Sequence, residues 1–202
     1  MNRVIKYLMI SDTFIFTGFG LIAPVLAIFI KEDLEGGTIF AAGAASAVFL
    51  LVKSAIQLPF SRYVDTHDRK LTWLRVGTAL VSVVPLLYIF ATHVNHIYIM
   101  QILYGIGSGL AYPTWLGLWS THLDKGHESF EWSLYSTLAG LGYAATAAIG
   151  AAIAQFIGFS AAFVMVALMS FTGCLILFGL SKKDEKSKGA SAFQHFIKRK
   201  VR

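Results

Sequence analysis

The stretches Gly18-Phe19-Gly20-Leu21-Ile22-Ala23-Pro24 and Gly107-Ser108-Gly109-Leu110-Ala111-Tyr112-Pro113 share one pattern, Gly-x-Gly-Leu-x-x-Pro, 89 positions apart. The glycines thin the helix wall, and the proline removes a donor from its hydrogen-bond ladder. Lipid tolerates that combination only where another helix or a cavity covers the freed backbone. Both stretches lie inside long uncharged segments. Corresponding Gly/Pro-interrupted segments in two parts of a membrane domain point to an internal repeat and to a transport site. Two Gly-rich packing helices that converged independently are the alternative reading.

Composition identifies the solvent. The chain is 56% hydrophobic and 14% charged, with a mean hydropathy of +0.64, far from the charge content of about 25% in soluble domains. Lys, Arg, Asp and Glu are absent from residues 13–30, 36–52, 76–123 and 132–181. The last two runs are 48 and 50 residues long, whereas one span needs about 20, so each holds two. Their breaks fall at Thr92-His93-Val94-Asn95-His96 and at Ile157-Gly158-Phe159-Ser160. The expected fold is an all-α membrane protein of six transmembrane helices over residues 1–181, followed by a basic tail, 182–202.

Basic residues orient the spans. Arg3 and Lys6 precede span one, Arg62, Arg69, Lys70 and Arg75 fill the second connection, and the tail follows span six. Both termini are therefore expected in the cytoplasm, with the acidic run Lys31-Glu32-Asp33-Leu34-Glu35 outside. A cell inner (plasma) membrane is the expected location. The net charge of +6 belongs to the tail, which holds eight basic and two acidic side chains. Next to a span such a cluster attracts anionic lipid headgroups, and Phe193, Phe196, Ile197 and Val201 give it an apolar side, which favours a surface-lying helix over a nucleic-acid arm. The single Cys174 rules out an intrachain disulfide.

Span two ends in Pro59-Phe60-Ser61-Arg62-Tyr63-Val64-Asp65-Thr66-His67-Asp68-Arg69-Lys70. This resembles the cytoplasmic signature Gly-x-x-x-Asp-Arg-x-Gly-Arg-Arg/Lys of the major facilitator superfamily. Asp65, Arg69 and Lys70 match, while Ser61, Thr66 and Asp68 replace a Gly, a basic residue and a Gly. Leu21–Leu26, Tyr104–Gly109 and Gly158–Phe163 are also similar to that family, and the likeness covers residues 5–181. Many antiporter-like members carry an Arg four residues before the first Gly of the span-four motif; here Gln101 stands there. The resemblance implies half of the family's twelve-helix fold, built as two inverted three-helix repeats. It also implies alternating-access transport of a small-molecule substrate, with a homodimer of parallel chains restoring twelve spans. A partner-binding subunit, or the N-terminal half of a larger transporter, stays open beside it.

Within the spans, polar residues fall on faces. Gln101, Tyr104, Ser108, Tyr112, Trp115 and Trp119 lie within an arc of about 80° at helical spacing, a stripe for a cavity or for a packed helix but not for lipid. Lys53 and Gln57 share a face of span two, and Asp12 shares one of span one with Phe16 and Phe19. Asp12 and Lys53 come at comparable depth, which makes an ion pair the expectation and a coupling proton on Asp12 a functional hypothesis. On the cytoplasmic side Asp65, Arg69 and Lys70 are read as helix-bridging groups, with Asp124 as a partner for Arg69. Ser136, Gly140, Ala144, Ala148 and Ala152 form a small-residue stripe on span five, read as the dimer interface. No catalytic set emerges, because Gly107-Ser108-Gly109 has no later His on a span to act as base. His93 and His96 lie on the opposite side from His122 and His127, so neither a metal nor a cofactor is expected.

Overall fold

The computed structural model describes residues 1–67, 69–181 and 183–185. The amphipathic tail helix expected over 182–202, and Asp68 of the signature, lie outside the described residues apart from 183–185. Among the described residues there are seven α-helices: α1 (Arg3–Ile22), α2 (Leu26–Asp33), α3 (Ile39–Thr66), α4 (Lys70–Tyr88), α5 (Val94–His122), α6 (Glu128–Phe156) and α7 (Phe159–Ile176). A 3-10 turn, Leu177–Gly179, extends α7. Helices α1 and α2 are one span, Arg3–Asp33, interrupted at Pro24. Proline lacks the N–H that would continue the ladder, and its ring crowds the preceding turn. Pro113, its counterpart, stays inside an unbroken α5.

Six membrane segments result. Five are long and apolar enough to cross a bilayer. The remaining helix, α5, has the length at 29 residues but carries the polar stripe that lowers its hydropathy. Local sequence sets the helix starts: Asn2 accepts from the Val4 amide, Thr38 from Ala41 and His93 from Asn95, each satisfying an otherwise orphaned donor. Gly158, at φ +116, makes the tight turn between α6 and α7 that a side chain would oppose. At the end far from the N-terminus, the Glu35 amide donates to the Thr92 carbonyl at 3.0 Å and the Val94 amide to the Glu35 carbonyl at 3.1 Å. These bonds pin two turns together.

The packing repeats as an inverted pair of three-helix units. α5 packs on α3 and α4, α1 packs on α6 and α7, and α4 meets α7. The recurring glycines perform matched tasks. A Cβ on Gly107 would lie 2.9 Å from the Gly77 carbonyl oxygen of α4, and one on Gly18 would lie 3.4 Å from the Val166 oxygen of α7. Val166 is as far beyond Gly77 as Gly107 is beyond Gly18. Likewise Gly109 closes on Lys53 and Ile56 of α3, and Gly20 closes on Tyr143 and Thr146 of α6. Each glycine pair thus lets one helix approach two neighbours at backbone distance. Convergent packing glycines do not require this correspondence of partners; a repeat does.

Two buried clusters stack along the bundle. One gathers Leu21, Ile22, Ile30, Val84, Tyr88, Ile97 and Phe163, and the other Val4, Ile5, Leu8, Leu71, Leu74, Leu118 and Trp119. α3 and α6, equivalent in the repeat, bury the least of their length.

Candidate functional site

A cavity of about 250 Å³ lies between the two clusters. α1 contributes Ser11, Asp12, Ile15 and Phe16; α3 contributes Phe49 and Lys53; α4 contributes Leu74, Thr78 and Val81. α5 supplies Tyr104, Ser108, Ala111, Tyr112 and Trp115, and Tyr135 of α6 and Leu177 complete the wall. The α5 residues arrive at spacings of three and four because these put side chains on one helix face. Of the residues singled out in the sequence, Asp12, Phe16, Lys53, Tyr104, Ser108, Tyr112 and Trp115 meet here.

Four others do not line it. Phe19 stacks on Tyr104 with ring centroids 4.8 Å apart and planes 2° apart, and Phe49 stacks on the same ring at 4.3 Å. Tyr104 is therefore sandwiched between α1 and α3 at the far end of the cavity. Trp119 is fully buried at the near end, stacked on Trp115 at 4.9 Å and joined by Trp132 and Tyr135. Gln101 is buried, with its carbonyl oxygen unpartnered among the described residues. Gln57 lines a second, open cleft with Ser54, Ser61, Asp65, Ser120 and Trp132.

Comparable depth alone pairs Asp12 with Lys53; the geometry corrects this. The Tyr135 hydroxyl donates to the Asp12 carboxylate, and among the described residues no ion pair joins Asp12 to Lys53. The Lys53 ammonium instead lies 4.6 Å from the ring centroid of Tyr112 and 5.9 Å from that of Phe49. A cation over a ring face is attracted by its quadrupole but receives no hydrogen-bond acceptor there. Tyr135 was not singled out by the sequence, because it is brought to Asp12 from 123 positions away. The only local signal was a phenol in a span otherwise rich in small residues. Thr78 and Val81 of α4 were missed for the same reason.

At the near end, Asp124 takes the Met1 ammonium at 2.7 Å rather than forming the expected pair with Arg69. The chain start reaches it because Asn2 donates to the His122 carbonyl at the end of α5. Asp65 and Arg69 are exposed, and the stem of Lys70 lies against Gly117 of α5. Arg75 donates to the carbonyls of Leu177 and Leu180, at 3.1 and 2.6 Å from Nη2, and so caps the end of α7. Ser136, Gly140, Ala144, Ala148 and Ala152 are all exposed, and a Cβ on Gly140 would meet open space. The other small-residue face of α6, with Gly142, Thr146 and Gly150, packs on α1.

No curated protein matches the chain. Its sequence matches the Major Facilitator Superfamily over residues 8–201, nearly its whole length. With six membrane segments in two inverted units around a cavity that holds Asp12 and Lys53, the chain belongs to the major facilitator superfamily of membrane transporters.

Proposed function

We propose that the chain is a secondary active transporter of a small organic solute, working by alternating access as a parallel homodimer that rebuilds twelve helices. The observation that carries this reading is the cavity. It presents a carboxylate and an ammonium on separate helices inside a membrane domain, where ionisable groups are costly and seldom retained without use. Its helices come from both inverted units, so tilting one unit against the other alters access while leaving the wall chemistry in place. The exposed stripe on α6 and the little-buried α3 supply the faces that two copies would join. In this reading both termini are cytoplasmic and Asp12 carries a coupling proton, because an ion drives a cycle only when two states bind it differently. A non-transporting membrane module is the competing reading.

Reconstitution separates them. The purified protein is expected to run as a dimer in lipid nanodiscs and to catalyse solute uptake into proteoliposomes that a proton gradient accelerates. A strictly monomeric protein without uptake would remove the transporter reading.

A further inference from the structure

We propose that Lys53 recognises the anionic group of a single-ring organic acid, with the ring held between Phe16 and the aromatic wall of α5. This rests on the reading of the cavity as the solute site and names the chemistry it takes. Three observations converge. Lys53 lines the cavity, yet its ammonium has only the faces of Tyr112 and Phe49 beside it and no carboxylate partner among the described residues. The acid within reach by sequence, Asp12, is engaged by the Tyr135 hydroxyl. Trp115, on the same wall, carries an indole N–H with no acceptor among the described residues.

The cavity therefore holds an ammonium lacking an acidic partner among the described residues, while its one carboxylate is already served. A partly desolvated ammonium is favoured by an anion far more than by a second cation or a neutral amide, since charge-assisted hydrogen bonds are the stronger kind. The walls add size and shape. An apolar cavity of about 150 Å³ accommodates benzene, so the 250 Å³ here admits one ring with a short acid chain. Aromatic faces favour a flat ring by stacked or edge contacts.

Three probes of similar size and different charge test the proposal: 3-phenylpropionate, 3-phenylpropanamide and 3-phenylpropylamine. They are titrated calorimetrically into the full chain in phosphatidylcholine nanodiscs, whose headgroups carry no net charge to compete. The acid is expected to bind at least about tenfold more tightly than the amide, and the amine most weakly. Lys53→Gln should bind acid and amide alike, and Lys53→Arg should keep the preference. Equal binding of acid and amide by the wild type, preference for the amine, no detectable acid binding, or a preference that survives in Lys53→Gln would each overturn it. If Lys53→Gln does not fold, the wild-type ranking of the three probes decides alone. Uptake of the same probes keeps the two readings apart. Acid that binds at Lys53 without entering proteoliposomes removes transport and leaves this site standing; uptake of amine or amide without acid binding does the reverse.

Discussion

The hydroxyl of Tyr135 on α6 donates to the carboxylate of Asp12 on α1, tying two helices together at the cavity wall. The bond works for either protonation state, since a neutral carboxyl also offers a carbonyl oxygen as acceptor. Asp12 therefore has a partner independent of Lys53, and the two charges of the cavity answer to different groups. In Asp12→Asn the amide oxygen still accepts from Tyr135, so the contact remains while the titration is gone. The variant is expected to fold, to keep the wild-type oligomeric state and to transport without pH dependence. Uptake measured from pH 5 to pH 8 checks this; an unchanged pH profile would end the coupling role of Asp12. Tyr135→Phe removes the donor instead, and a loss of about 1–2 kcal/mol in stability is expected from a deleted hydrogen bond to a polar group in low dielectric.

The two faces of α6 make opposite predictions. A Cβ on Gly150 would come within 1.9 Å of the Leu21 carbonyl oxygen, which is backbone and cannot swing aside. Gly150→Ala should therefore separate α6 from α1 and lower the melting temperature, with overpacking of this kind costing about 1–3 kcal/mol or more. Gly140 has open space beside it. Gly140→Leu should leave monomer stability near wild type but shift the dimer toward monomer and abolish transport. A Gly140→Leu protein that stays fully dimeric would take this face out of the interface.

The repeat was legible because it rests on glycine, the one residue whose absence of side chain is itself the signal. Gly18, Gly20, Gly107 and Gly109 stand in the sequence at matched spacing, and each marks a backbone approach. The polar face of α5 was legible from periodicity alone, which places Tyr104, Ser108, Tyr112 and Trp115 on one side. Periodicity gives direction around one helix but says nothing of distance between helices. Hence it grouped Trp119 and Gln101 with the cavity, although one lies in the Trp115 stack and the other in buried packing. Asp12 and Lys53 were paired by depth for the same reason. The phenol that displaces Lys53 comes from another helix, and only the tertiary arrangement brings it there.

Arg75 is a structural cation. Its guanidinium donates to the Leu177 and Leu180 carbonyls; Leu177 also accepts from the Leu180 amide at 3.3 Å, whereas Leu180 relies on the arginine among the described residues. Arg75→Ala leaves the Leu180 oxygen unsatisfied and is expected to cost about 1.5–3 kcal/mol, the usual scale for a hydrogen bond to a charged group. Arg75→Lys should recover part of it, because a point charge reaches one carbonyl where the fork reaches two. Thermal melts in detergent report the order wild type, Lys, Ala. Equal melting temperatures for all three would make the cap energetically silent.

The turn holding Glu35 and the connection holding Lys125 lie at opposite ends of the bundle, and the proposed orientation puts the second inside by parity with the termini. Cys174 is buried in α7 and need not be replaced for a labelling experiment. Glu35 is exposed, and only its backbone joins the Thr92 and Val94 pins, so Glu35→Cys keeps the turn while offering an accessible thiol. In intact cells an impermeant maleimide is expected to label Glu35→Cys and to spare Lys125→Cys; permeabilised cells should label both. The internal control matters because a thiol hidden by folding would also resist the reagent. Labelling of Lys125→Cys but not Glu35→Cys in intact cells would invert the topology. Asp65, Arg69 and Lys70 would then face outward, and their reading as a cytoplasmic signature would fall with it.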